Sequence, residues 1–293
     1  MRPALLLAMS LLFAPGPGFA QEEKPPEPVD VGKTLRESKE FRKGLEKFKI
    51  TFEPGLVRAV GQIVYRGGGP CEYLINVFPT KAHETIVELD DGPYKGDGRR
   101  RREYIRGLAT ALNNALLAAG FKKGRPFDWD RKTGEVFPPT GETVRIYAEW
   151  KDAKGALHRA RMADWLWNYK TLDVMQPGKY VYTGSLMIDE GPPHHKKWFG
   201  AEVDGMLVAT LSTSTVLIDC VEEGAMENGT YEALAQRIPE IGTRVTVAFS
   251  KKPLEITEKY PPLELSKEIL EERARRKAAK AKAAAAKKPA EEK

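Results

Sequence analysis

The run TVRIYAEWK at residues 143–151 alternates apolar and polar side chains. Its even-numbered positions, from Val144 to Trp150, are all apolar, whereas Arg145 and Glu149 lie between them. Successive side chains of a strand point to opposite faces, so this period of two predicts a strand with one buried face. A second run, TRVTVAFS at residues 243–250, has the same pattern and predicts another such strand.

Further strands are predicted on both sides of these runs, because short segments rich in Val, Ile and aromatic residues lie between Gly and Pro turns. They cover residues 50–65 with a break at Pro54-Gly55, then 72–78, 82–89, 157–167, 180–188 and 198–211. We expect a turn at Pro79-Thr80 to join residues 72–78 and 82–89 as a hairpin. Residues 189–197 are expected to form a second hairpin loop.

Helices are few by comparison. Apolar residues recur every three or four positions in residues 99–119, and Gly120 follows where a helix commonly ends. Residues 33–48 predict a shorter helix. Regular alternation of strands and helices is missing, so a doubly wound fold is excluded. The sequence predicts an α+β fold, a predominantly antiparallel or mixed sheet with one main helix packed on it.

The two ends of the chain differ in composition from the middle. Residues 1–20 have a charged start, a short apolar run and the small-residue pattern Gly18-Phe19-Ala20, which predict a signal peptide cleaved after Ala20. The apolar run is too short for the alternative, a membrane anchor. Residues 21–32 are a proline-rich linker, residues 33–262 a single domain, and residues 263–293 a basic, Ala/Lys-rich tail that we expect to be disordered. Within it, residues 266–282 are rich in helix formers and are expected to sample helix, but no apolar stripe continues beyond Leu270 to dock them on the domain.

The charge is concentrated in that tail. The chain has a formal net charge of +6, and residues 273–288 alone hold eight Lys and Arg and no acid. Without these eight charges and that of Arg2, the remaining residues carry a net charge of −3. The domain is therefore slightly acidic. The tail is a candidate contact for anionic envelope polymer, lipid headgroups or nucleic acid, and the alternative is a solvated tether.

The two cysteines, Cys71 and Cys220, allow one disulfide in an exported protein. The alternative is a pair of separate buried thiols. Two cysteines cannot supply the four thiolates of an iron–sulfur cluster or a structural zinc site, and the sequence indicates no cofactor.

Residues that could perform catalysis or bind a metal are sparse. His83-Glu84 starts like a zinc-protease motif, but Val87 stands where its second histidine belongs. In a hairpin, Glu72 could share a face with His83 or Glu84, and the three are candidate catalytic residues, with His83 and Glu72 as candidate metal ligands. Vicinal side chains of a strand point apart, so His83 and Glu84 are not expected to bind one ion together. A structural hydrogen bond is the alternative.

Other clusters have a functional and a structural interpretation each. His194-His195 could bind a transition metal or lie on an exposed turn. The basic cluster of Arg99–Arg102 with Arg106 could bind an anion or face solvent. An aromatic set could line a carbohydrate or peptide groove, or pack in the core; its members are Trp150, Trp165, Trp167, Tyr169, Tyr180 and Tyr182.

Several runs together resemble the YdjY-domain family of exported bacterial proteins. They are residues 68–74 (GGPCEYL), 81–85 (KAHET), 144–150 (VRIYAEW), 182–185 (YTGS) and 198–211. The resemblance spans roughly residues 50–250. It implies an exported domain without an assigned reaction, and it points to Glu72, His83 and Glu84. The sequence departs from the family at Cys71, where relatives have an apolar residue, and at residues 212–215, where they have an acidic turn.

Three functional hypotheses follow. The first is a non-catalytic envelope or periplasmic protein that binds or scaffolds a partner. The second is a metal-dependent or acid–base enzyme that uses Glu72 and His83. The third places the function in the basic tail.

Overall fold

The computed structural model describes residues 31–67, 69–77, 84–89, 105–189, 191 and 196–287. Its helices are α1 (Val31–Glu37), α2 (Lys39–Lys47), α3 (Leu108–Ala118), α4 (Gly200–Asp204) and α5 (Lys267–Lys287). Its strands are β1 (Thr51–Glu53), β2 (Leu56–Ile63), β3 (Tyr73–Asn76), β4 (Thr85–Glu88), β5 (Asp128–Trp129), β6 (Val136–Phe137), β7 (Glu142–Lys151), β8 (Leu157–Arg161), β9 (Leu166–Asn168), β10 (Asp173–Val174), β11 (Tyr180–Tyr182), β12 (Met187–Asp189), β13 (Lys197–Phe199), β14 (Met206–Ala209), β15 (Ile218–Cys220), β16 (Tyr231–Ala233) and β17 (Arg244–Ser250).

Eight strands form a sheet that closes on itself. They pair in the order β2-β17-β7-β11-β15-β14-β3-β4, and β4 then pairs with β2. The closing pair is antiparallel, with Gln62 opposite Glu88 and Ile63 opposite Val87. Gly61 permits this approach, because a Cβ at its position would lie 2.6 Å from the Glu88 carbonyl oxygen. We call these eight strands the closed sheet.

The inside of the closed sheet is the apolar core. Val144, Val247 and Phe249 are fully buried, as the alternating patterns of β7 and β17 predicted, and so is Val57 of β2. The outer face carries ion pairs across β2, β17, β7 and β8, which are neighbours in that order. There Glu149 accepts from Arg159 Nε at 2.8 Å and lies 3.5 Å from Arg58 Nε. The strands thus separate an apolar inside from an ion-paired outside.

Helix α3 packs on this sheet and holds the N-terminal helices. It contacts β1 and β2 on one side and α1, α2 and α4 on others, with Leu112 and Leu116 fully buried. The chain leaves α3 through Gly120, whose φ is +87°. The Gly120 and Phe121 amides then donate to the Leu117 and Leu116 carbonyls at 2.9 and 3.0 Å, which closes the helix end. The predicted C-terminal glycine is confirmed.

The predicted α+β class with a mixed sheet is confirmed, but the sheet is a closed barrel of strands rather than an open sheet under one helix. The parallel pairs are β3–β4 and β14–β15. The predicted hairpin of residues 72–78 and 82–89 is therefore wrong. β4 runs antiparallel to β2 at the closure and parallel to β3, and the predicted turn at Pro79-Thr80 lies outside the described residues.

Two other predicted elements are interrupted. The helix expected at residues 33–48 is split into α1 and α2, because the Ser38 hydroxyl accepts from the Phe41 amide at 3.2 Å and starts a new helix. The strand expected at 198–211 is broken by α4 and Gly205, whose φ is +70°. β12 and β13 do form the second expected hairpin.

The C-terminal tail forms a helix that contacts the domain, where we expected a disordered tail that only samples helix. Residues 267–287 are α5, and polar groups attach it to the domain. Arg273 pairs with Asp173, and Lys280 pairs with Glu223. Arg276 donates to the Lys170 carbonyl at 2.9 Å. The tail has no apolar stripe beyond Leu270, and the cationic side chains of α5 instead pair with acids of the domain. Among the described residues, no helix is both long and apolar enough to cross a membrane.

A segment at residues 254–261 leads to α5 and lies along the outer face of β7 and β8. Leu254 and Ile256 cover Tyr147, and the Thr257 amide donates to the Arg159 carbonyl at 3.0 Å. We call it the strap. Its Glu258 accepts from His158 Nδ1 at 2.7 Å.

His158 is held between two carboxylates. Besides Glu258, Asp152 Oδ2 lies 3.3 Å from its Nε2, and the ring stacks on Trp150 with centroids 5.4 Å apart. The hydrogen bond to Glu258 and then that to Asp152 raise the pKa of His158 above its ordinary 6.5. A neutral imidazole can donate to only one of the two carboxylates, so protonation tightens the strap.

We predict that His158 makes stability depend on pH. A raised folded-state pKa means that this stabilisation is complete below the unfolded pKa of 6.5 and is lost as pH rises through the folded value. The melting temperature of the wild type should therefore exceed that of H158Q at acidic pH, and the gap should shrink as pH rises. Titrating groups that do not contact His158 are common to both proteins and cancel in the difference; the gap is compared above the pH at which Asp152, whose pKa is lowered partly by His158, becomes protonated. A gap that stays constant with pH contradicts the prediction.

Candidate functional site

A cavity of about 590 Å³ opens between α3, α4 and the β12–β13 hairpin. Its described lining residues are Val77, Ile105, Arg106, Ala109, Ile188, Trp198, Ala201, Glu202, Val203 and Gly205. Only two of these ten residues are charged, so the walls are largely apolar. A mostly apolar cavity of this size is typical of a small-molecule site.

Each wall comes from a separate part of the chain. Val77 follows β3 directly, so the closed sheet places it. Ile105 and Ala109 belong to the start of α3 and are buried. Ile188 and Trp198 lie opposite one another on the β12–β13 pair. The cavity therefore depends on α4 and the hairpin being held against α3.

Glu202 makes that attachment. Gly107 precedes α3 with φ at +92° and has no side chain to cap the helix. The Glu202 carboxylate replaces it, accepting from the Gly107 amide, from the Thr110 amide at 3.2 Å and from the Thr110 hydroxyl at 3.3 Å. A carboxylate is favoured there, because the first amides of a helix lack partners and form the positive end of its dipole.

Cations surround the mouth of the cavity. Arg106 lines it and is exposed, and Lys47 Nζ donates to the Arg106 carbonyl at 3.2 Å. Partial burial lowers the pKa of Lys47, against the opposing charge of Glu202. Lys196 Nζ lies 3.6 Å from the centre of the Trp198 ring. Among the described lining residues, the one carboxylate is Glu202, and it is already bound to the start of α3.

The structure brings two of the predicted catalytic residues together. Parallel pairing sets Tyr73 opposite Thr85, so Glu72 and Glu84 stand side by side just before β3 and β4. Glu72 is buried. Both carboxylates add to the effect of burial in raising the pKa of the Cys71 thiol. His83 lies outside the described residues, so its partnership with Glu72 stays a prediction. Within the described ranges, no three His, Cys, Asp or Glu side chains form a metal-binding group.

Cys71 and Cys220 are free thiols, each 1% exposed, so the possible disulfide is not formed in this structure. Both contact Tyr231: the Cys71 amide donates to its carbonyl at 2.8 Å, and the Cys220 sulfur lies 3.4 Å from its hydroxyl. Burial raises the pKa of Cys220 to about 12, and that of Cys71 also rises for the same reason. Thiols that stay protonated are poor nucleophiles, so both act as core residues.

The aromatic set is mostly core. Trp165, Trp167, Tyr180 and Tyr182 are buried and Trp150 packs against the core, which leaves Tyr169 as the exposed member. The groove interpretation is therefore wrong for these buried residues. His194-His195 and Arg99–Arg102 lie outside the described residues. Arg106, from the same basic cluster, is at the cavity mouth.

Asp219 is a titratable group that the sequence did not single out. It is fully buried in β15, and burial raises its pKa to about 7, although the Cys220 and Thr213 amides donate to it at 2.8 and 3.3 Å. It does not line the cavity. It holds the segment after β14 in place.

Residues 105–250 match the family model described as the YdjY domain. The chain is a member of the YdjY-domain family. No curated protein and no solved structure matches the chain. The matched residues include α3, α4 and the β12–β13 hairpin, and thus every described wall of the cavity except Val77. The expected resemblance was broader, and its runs at residues 68–74 and 81–85 precede the match.

Sequence reasoning missed most of the YdjY-domain cavity. Glu202 gave no signal, because it caps a helix that starts 95 residues earlier. Gly107 was the available sign, a residue at a helix start that cannot cap it with its own side chain. Trp198 was assigned to a strand, which is correct, but no local pattern indicates that it faces α3.

We predict that E202A lowers the free energy of unfolding by about 1 kcal/mol, the usual contribution of a helix cap. E202Q keeps one acceptor oxygen and should lose less. The matched control is E135A, because Glu135 is exposed on the β5–β6 hairpin. Chemical denaturation of the three variants measures the effect. Equal losses in E202A and E135A would show that Glu202 does not cap α3.

Proposed function

We propose that this YdjY-domain protein is an exported binding protein that holds a small, largely apolar ligand in the cavity beside α3. The observation that carries the proposal is the cavity itself, about 590 Å³ with mostly apolar walls. Its volume falls in the range of about 300–1,000 Å³ that is common for ligand sites. Family membership alone assigns no reaction.

Binding is favoured over catalysis because the cavity is far from Glu72, the buried candidate acid–base residue. Glu72 precedes β3 and Val77 follows it, so the four residues of this strand separate them, a distance of about 16 Å along extended chain. The described walls contain one acid, Glu202, and helix amides occupy it. A ligand in this cavity would therefore meet apolar surface and cations but no available general base.

Export is supported by the N-terminal segment. Residues 1–20 combine one positive charge, a short apolar run and small residues at Gly18 and Ala20. The free, buried Cys71 and Cys220 are compatible with either redox compartment and do not bear on this point.

We predict that the mature protein begins at Gln21. N-terminal sequencing of the protein from the extracytoplasmic fraction tests this. A20R should block cleavage, since signal peptidases require a small residue before the cut. E22Q, just beyond the site, should be processed as the wild type. A mature protein that retains Met1, or is confined to the cytoplasm, contradicts export.

We predict that filling the cavity abolishes ligand binding. Nile red, a neutral apolar dye, should bind the wild type and become fluorescent. A109L should weaken its binding, and A109F should weaken it by at least about tenfold, because the larger side chains take up the space of the dye. Fluorescence titration measures the affinities, and thermal melting confirms that the variants fold.

The control for these variants is A156F. Ala156 is exposed in the turn between β7 and β8 and does not line the cavity. A156F should bind the dye as the wild type does. Dye binding that is absent in the wild type, or equal in folded A109F and A156F, would remove the basis of the proposed function.

A further inference from the structure

We propose that the ligand of this cavity is an anionic amphiphile, a single negative head group joined to an apolar chain, with the head group at Arg106. This inference rests on the proposed function, because it names the class of ligand for the same cavity. The observation behind it is that the charged Arg106 is exposed at the mouth of the cavity, whereas the inner walls are apolar.

Arg106 supplies the head-group site. Its side chain is exposed at the mouth, and within the described part of the chain no acidic side chain pairs with its guanidinium. A guanidinium can donate two parallel hydrogen bonds to a carboxylate, sulfonate or phosphate. Its backbone is fixed independently, because the Arg106 carbonyl accepts from Lys47 Nζ at 3.2 Å. Substituting the side chain therefore leaves this contact in place.

Among the described lining residues, Arg106 is the one cation and Glu202 is the one acid. The Glu202 oxygens accept from Gly107 and Thr110, so they are turned towards α3. A cationic head group would meet the exposed guanidinium of Arg106, and a neutral one would not use its charge. An anionic head group fits this side chain.

The interior accepts the chain of the amphiphile. Val77, Ala109 and Ala201 are buried walls, and Ile188 and Trp198 close the opposite side. Such walls gain free energy in proportion to the apolar area removed from water and do not distinguish chain types. Specificity for the charge must then come from the mouth.

The test compares ligands that share one chain. Decanoate, 1-decanol and decyltrimethylammonium displace Nile red from the full chain at a pH where decanoate is ionised. In the wild type at low salt, decanoate should bind about fivefold tighter than decanol, as an exposed charge pair provides, and the ammonium should bind most weakly. Added salt should reduce the preference.

Arg106 is tested by two substitutions and one control. In R106Q, decanoate and decanol should bind with similar affinity, and R106K should retain part of the preference. R131Q removes an exposed arginine that does not line the cavity, and this variant should keep the full preference for decanoate over decanol. Equal binding of decanoate and decanol to the wild type overturns this inference and leaves the proposed function standing. Failure of every ligand and of the dye to bind overturns the proposed function.

Discussion

The pairing of β2 with β4 is the contact on which the rest of the structure depends. It turns a row of eight strands into a closed sheet, and it requires glycine at position 61, where a side chain would meet the Glu88 carbonyl. Closure removes the open edges that an eight-stranded sheet would otherwise expose. It also sets β4 parallel to β3, which puts Glu72 beside Glu84 at one end and Val77 at the other, against α3 and α4.

Apolar packing holds the inside of the closed sheet, and polar contacts hold the segments outside it. The two kinds of interaction respond differently to pH and salt. The apolar packing inside the closed sheet does not depend on ion pairs. The strap and α5 are attached largely by polar groups, through His158–Glu258, Arg273–Asp173 and Lys280–Glu223. Exposed ion pairs contribute little each and weaken with salt. We therefore expect added salt to weaken the attachment of the basic tail to the domain.

Local sequence patterns predicted the features of the fold that depend on residues close together in the chain. The strands at 142–151 and 244–250 follow from alternation, and the end of α3 follows from Gly120. The direction of β4 relative to β3 and the pairing of β4 with β2 were not predictable. The sequence pattern of β3 is the same whether β4 is parallel or antiparallel to it. Glu202 was missed for a related reason: its partner is distant in sequence, and a glutamate after a strand has no local signature. Arg106 was identified, but only as one of several arginines.

The family match adds a constraint on how much chain the domain needs. Residues 105–250 contain β7, β11, β14, β15 and β17, which are five of the eight closing strands. The other three, β2, β3 and β4, precede the match and include Gly61. Without them β14 and β17 would be left with open edges, and the cavity would lack Val77. The matched residues are therefore insufficient for the closed sheet, and the cavity, with Arg106 at its mouth, exists only where both parts of the chain meet.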